Sequence, residues 1–131
     1  MSSLRVMVVD DEPFMRTTMK ATLRAVGRFV VTEAADGATA LAALPETRPD
    51  VVLCDINMEP MGGLQFVEHL RSLPDPGVRE TPVVMITVHA DVGTVTDAGH
   101  LHISGYLIKP VSPKQLGDRL RAIFRDRSFE E

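Results

Sequence analysis

Apolar positions along this chain fall into short unbroken runs separated by stripes at helical spacing, and that rhythm predicts its elements. Leu4–Val9 is a valine-rich run, read as a strand. From Pro13 to Val26, Met15, Met19, Leu23 and Val26 recur on one helical face, and Gly27 closes the helix. Phe29–Thr32 is a β-branched run, followed by a turn at Asp36-Gly37. Ala38, Leu41 and Ala42 outline a short helix that Pro45 is expected to stop. Val51–Cys54 predicts a third strand. Leu64, Val67, Leu70 and Leu73 predict a helix ahead of the breaker cluster Pro74-Asp75-Pro76-Gly77. Val83–Ile86 and Tyr106–Ile108 read as the fourth and fifth strands. Asp91–His102 should hold a helix between them, although Gly93 and Gly99 each cost about 1 kcal/mol relative to alanine. The last helix has the clearest start. Ser112 is placed to cap it, Pro113 takes the first helical position, and Gln115 completes a capping box. Leu116, Leu120, Ile123 and Phe124 then line one face.

The strand runs do not alternate apolar with polar residues. That suits a parallel sheet buried on both faces. Strands alternating with helices predict a doubly wound α/β domain, and right-handed crossovers limit its topologies.

Composition narrows the picture. At 131 residues the chain is read as one domain, with a core over about residues 4–124 and a tail over 125–131. Its apolar fraction of 44% is enough for one core. No apolar run approaches the roughly 20 residues of a membrane span, and the N-terminus lacks a signal-peptide layout. One cysteine, Cys54, excludes an internal disulfide framework, so the cytoplasm is the expected compartment. A net charge of −4 argues against nucleic acid as a partner. Arg119, Arg121, Arg125 and Arg127 read as a solvated helix face and tail rather than a basic patch.

The polar residues that follow the strands matter more. In an open parallel sheet, ligands bind beyond the carboxyl ends of the strands. The first strand runs into Asp10-Asp11-Glu12, the third ends in Asp55, the fourth in Thr87 and the fifth in Lys109-Pro110. Singly, each is a common turn, cap or surface residue. Together they place three carboxylates, a hydroxyl and an ammonium on one sheet edge. Crowded carboxylates call for a cation, and Mg²⁺ (or Mn²⁺) favours such hard oxygens with several waters. Lys109 would be repelled by that metal and attracted by a polyanion. A phosphoryl group satisfies both, and a carboxylate can be its acceptor, giving an acyl phosphate. Asp55, on a central strand, is the best placed acceptor.

These residues resemble the receiver domain of two-component response regulators. The resemblance rests on Val8-Val9-Asp10-Asp11-Glu12-Pro13, on Val52-Leu53-Cys54-Asp55-Ile56-Asn57-Met58, on Thr87, and on Gly105-Tyr106-Leu107-Ile108-Lys109-Pro110. It implies a flavodoxin-like fold with strand order 2-1-3-4-5. It implies that Asp55 is the phosphoacceptor and that Asp10, Asp11, Asp55 and the backbone carbonyl of Asn57 hold Mg²⁺. Thr87 and Lys109 would contact the phosphoryl group, with Thr87 and Tyr106 as switch residues, and Pro110 would follow a cis peptide bond. The donor would be a histidine kinase or a histidine phosphotransfer protein. The domain would be a switch that assists its own phosphorylation and dephosphorylation, not an enzyme. A downstream protein would read the face over residues 91–124, either from a single-domain regulator or from a phosphorelay shuttle. An aspartyl-nucleophile phosphohydrolase of the haloacid dehalogenase type is a weaker alternative, because those enzymes carry the nucleophile on the first strand. The chain departs from the family at Met58-Glu59-Pro60, where the proline falls one place late, at Gly62-Gly63, at Val88, and at His102-Ile103.

Other candidates have plain readings. Cys54 is expected to be a buried, inert thiol. His69 should lie on a helix surface, and His100 and His102 in a loop. His89 borders the phosphoryl site and could tune dephosphorylation.

Overall fold

The computed structural model describes residues 3–88 and 102–125. Five strands form one parallel sheet in the order β2-β1-β3-β4-β5, built from β1 (Leu4–Val9), β2 (Phe29–Ala34), β3 (Val51–Asp55), β4 (Val83–Thr87) and β5 (Gly105–Ile108). Every residue of β3 and β4 is buried, as uninterrupted apolar runs require when helices cover both faces. Side chains alternate across the pleat, so two cores form. On one side Met7, Val9, Val52, Cys54, Val83 and Met85 pack against Ala40, Leu44, Phe66, Val67 and Leu70 of helices α2 (Gly37–Thr47) and α3 (Gly63–Arg71). On the other, Leu4, Val6, Val8, Val51, Leu53, Val84 and Ile86 pack against Met19 and Leu23 of α1 (Pro13–Val26) and Leu116 and Leu120 of the last helix.

Four local expectations are corrected. Pro45 does not stop α2, which runs on to Thr47. Proline's fixed φ is helical, and so late in the helix it removes one hydrogen bond only. The end is instead made by Arg48, in the left-handed region at φ 42°, whose N–H donates to the Leu44 carbonyl at 2.9 Å. The buried face of α2 is Ala40 and Leu44, whereas Ala38 and Ala42 are exposed. The breaker cluster after α3 starts a further one-turn helix, α4 (Pro76–Arg79), because Asp75 accepts from Gly77 N–H as its cap and Pro76 needs no hydrogen bond there. β2 also extends beyond Thr32 to Ala34.

The last helix, α5 (Pro113–Ile123), starts on the expected capping box: Gln115 N–H donates to Ser112 Oγ at 3.1 Å, and Ser112 N–H to Gln115 Oε1 at 3.2 Å. Among the expectations, the Asp91–His102 helix (His102 apart), His89, His100 and most of the 125–131 tail lie outside the described residues. His102 is exposed and left-handed, at φ 55°, and His69 is exposed on α3. No described helix is long and apolar enough to cross a membrane.

Candidate functional site

Parallel pairing carries the strand ends to one edge in register. Val9 pairs with Cys54, which sets Asp10 beside Asp55, and Thr87 pairs with Ile108, which sets Lys109 one residue beyond. Asp10, Asp55 and Thr87 are buried, and Asp11 is partly exposed. One oxygen from each of Asp10, Asp11 and Asp55 can be chosen so that all lie within 4.8 Å of one another. Lys109 Nζ lies 3.4 Å from Asp10 Oδ2 and 3.5 Å from Asp55 Oδ2. Backbone groups orient the carboxylates. Glu12 N–H donates to Asp10 Oδ1 at 2.9 Å, Asn57 N–H to Asp55 Oδ1 at 3.2 Å, and Glu59 N–H to Asp11 Oδ2 at 3.2 Å.

Burial pushes the Asp55 carboxyl above its usual range; Lys109 and the Asn57 amide pull it back, and the Asp10 charge adds to the rise. Cys54, in the same strand, is wholly buried, and burial, with the charges of Asp55 and Asp10, pushes its thiol far up, as an inert thiol requires. Thr87 turns its carbonyl to Lys109 N–H at 2.7 Å, which locks the ends of β4 and β5 together. Tyr106 is partly buried on β5, and its hydroxyl has no hydrogen-bond partner among the described residues. Lys109-Pro110 is cis, and so is Glu59-Pro60.

The second glycine of Gly62-Gly63 has a steric reason. A Cβ at Gly63 would collide with the Asp55 carbonyl oxygen and stand 2.8 Å from Ile56 Cα. Only glycine lets α3 begin this close behind Asp55.

With this edge defined, comparison with known proteins places the chain. The sequence pattern of the family described as "Response regulator receiver domain" matches residues 6–121. The chain belongs to the response regulator receiver domain family. Its receiver sequence is 36% identical over 121 residues to the probable transcriptional regulator ycf27 of Guillardia theta, covering 92% of this chain and 45% of that protein. It is 34% identical over 122 residues to the chemotaxis protein CheY-3 of Vibrio cholerae serotype O1, covering 93% of this chain and 92% of the relative. Chemotaxis protein CheY4 of Vibrio cholerae superposes with a TM-score of 0.84 at 31% identity, covering 93% of this chain and 99% of that one. The flavodoxin-like fold and the 2-1-3-4-5 order thus agree with the resemblance read from sequence. Receiver domains serve two-component signal transduction as phosphoacceptor switches, and interact with histidine kinases or phosphotransfer proteins.

This receiver's acidic cluster fits the Mg²⁺ that such domains typically bind. All the side-chain donors are hard oxygens, and partly exposed Asp11 leaves room for the waters Mg²⁺ retains. Two arginine contacts escaped the sequence reading, one at the site and one away from it. Arg16 donates to the Asp10 carbonyl at 2.6 Å, and Arg71 donates to the carbonyls of Arg79, Thr81 and His102, tying α3 to the strand entries at the opposite edge. Both act on backbone carbonyls, which have no residue signature to search for.

Proposed function

We propose that Asp55 is the phosphoacceptor of a phosphorylation-driven switch, with Mg²⁺ held by Asp10, Asp11, Asp55 and the backbone carbonyl of Asn57. The observation that carries this reading is the meeting of three carboxylates with one ammonium, Lys109, at the carboxyl ends of the strands. When bound, the metal neutralises charge on the phosphoryl oxygens. An Asp55 carboxylate oxygen attacks phosphorus, the bond from phosphorus to the donor breaks, and the donor group leaves with the electron pair. Asn57 N–H and Lys109 hold the two Asp55 oxygens, which orients the nucleophile before the donor arrives. Lys109 then pairs with the transferred group, and Thr87 donates its hydroxyl to a phosphoryl oxygen. Tyr106, whose hydroxyl gives up no hydrogen bond to a described residue, follows Thr87 as the second switch residue. The donor is a histidine kinase or histidine phosphotransfer protein, and a downstream protein reads the face that includes β5 and α5.

Intact-mass analysis after incubation with acetyl phosphate tests the proposal. The wild type should gain one phosphoryl group in Mg²⁺ and none in EDTA, and Asp55→Asn none in either. Equal labelling of both proteins would end it.

A further inference from the structure

We propose that Arg16 is a positioning residue for the acidic site, holding the Asp10–Asp11 peptide through the Asp10 carbonyl and itself steered by Glu33 on β2. The inference rests on the metal-site reading above. Each polar group of Asp10 has a partner: its N–H donates to the Ala34 carbonyl at 3.2 Å, Oδ1 accepts from Glu12 N–H, and Oδ2 faces Lys109. The carbonyl is the group that sets the plane of the next peptide, and so the direction in which Asp11 leaves the strand. Arg16 Nη1 donates to it at 2.6 Å. The same guanidinium donates through Nε to Glu33 Oε1 at 3.1 Å, and Lys20 Nζ holds Glu33 Oε2 at 2.8 Å. Hydrogen bonds from Lys20 and then Arg16 keep the Glu33 carboxyl below its usual range, so it is ionised at neutral pH. A planar fork can serve a carbonyl and a carboxylate at once, whereas a lysine's point charge has no such geometry. The Arg16 side chain is only 15% exposed, so burial by the surrounding chain limits its alternatives.

Two roles for Arg16 predict opposite signs. As a charge near three carboxylates it would oppose a divalent cation, and its removal would tighten Mg²⁺ binding. As a positioning residue its removal weakens binding, by about tenfold on the scale of groups that orient metal ligands.

The test is Mg²⁺ titration of the full chain by NMR, following the amides of Glu12 and Asn57, for wild type, Arg16→Met, Glu33→Gln, the double variant, and Arg24→Met as an exposed control on α1. Urea midpoints are measured alongside, to separate affinity from stability. Arg16→Met should bind about tenfold more weakly. Glu33→Gln should bind severalfold more weakly alone and add nothing in the Arg16→Met background. Arg24→Met should match wild type. Unchanged or tighter binding by Arg16→Met, or additive effects in the double variant, overturns the inference while leaving the metal site standing. No Mg²⁺ response from wild type overturns the metal-site reading itself. If Arg16→Met does not fold, Arg16→Lys decides, since it keeps the charge and loses the planar fork: weaker binding supports the positioning role, and wild-type affinity overturns it.

Discussion

Lys109 Nζ stands 3.5 Å from Asp55 Oδ2 although β4 lies between their strands. Strands two places apart are separated by about 10 Å. A lysine stem is long enough to span that gap, and it is the reach of this side chain that brings β5 to Asp55 on β3. The charge therefore sits at the site while its backbone belongs to the sheet's edge strand, so a group captured by Lys109 can act on β5.

Lys109→Ala should still be labelled by acetyl phosphate in Mg²⁺, and should bind Mg²⁺ severalfold more tightly because a repelling charge is gone. What it should lose is the response of β5. Beryllofluoride should shift the Tyr106 and Leu107 amides in wild type and leave them near their resting positions in the variant. An undiminished shift would contradict the coupling role.

Asp55→Asn should stabilise the fold at neutral pH. Burial raises the Asp55 pKa in the folded state, so between the unfolded value, near 3.8, and the higher folded one the native chain binds more protons than the unfolded chain. Stability contributed by this group therefore falls as pH rises through that window, and the carboxylate's cost is fully present above it. The advantage of Asp55→Asn should be largest at neutral pH and shrink as pH falls toward the unfolded value. Urea denaturation across that range, without divalent metal, measures it. A stability gap that widens on acidification would reverse the argument.

Gly63→Ala should cost about 1–3 kcal/mol, the usual penalty for forcing atoms into a packed site. The clash is with the backbone of Asp55 and Ile56, which cannot rotate away as a side-chain tip could. Gly62→Ala is the control, since a Cβ there meets only the Ile56 carbonyl oxygen at 3.6 Å. Thermal melts of the two variants should therefore separate, and equal melting temperatures would contradict the close approach.

Much of this protein was legible before folding was considered. The apolar runs of β1, β3 and β4 and the stripe Met15-Met19-Leu23 predicted their elements because burial on one or both faces dictates residue type at fixed periods. The Ser112–Gln115 cap was legible because both partners lie within one turn. Asp10, Asp11, Asp55, Thr87 and Lys109 were legible as a group because a parallel sheet collects whatever follows its strands. The tertiary structure decided the rest. Pro45 inside α2 and the turn of α4 depended on caps and local closure that outweighed the proline signal. The Gly63 contact, the Arg16 hold on Asp10, and the Arg71 clamp all end on backbone atoms. Every residue carries the same backbone, so composition and spacing hold no trace of such contacts. They exist only once packing has brought distant segments within hydrogen-bond reach.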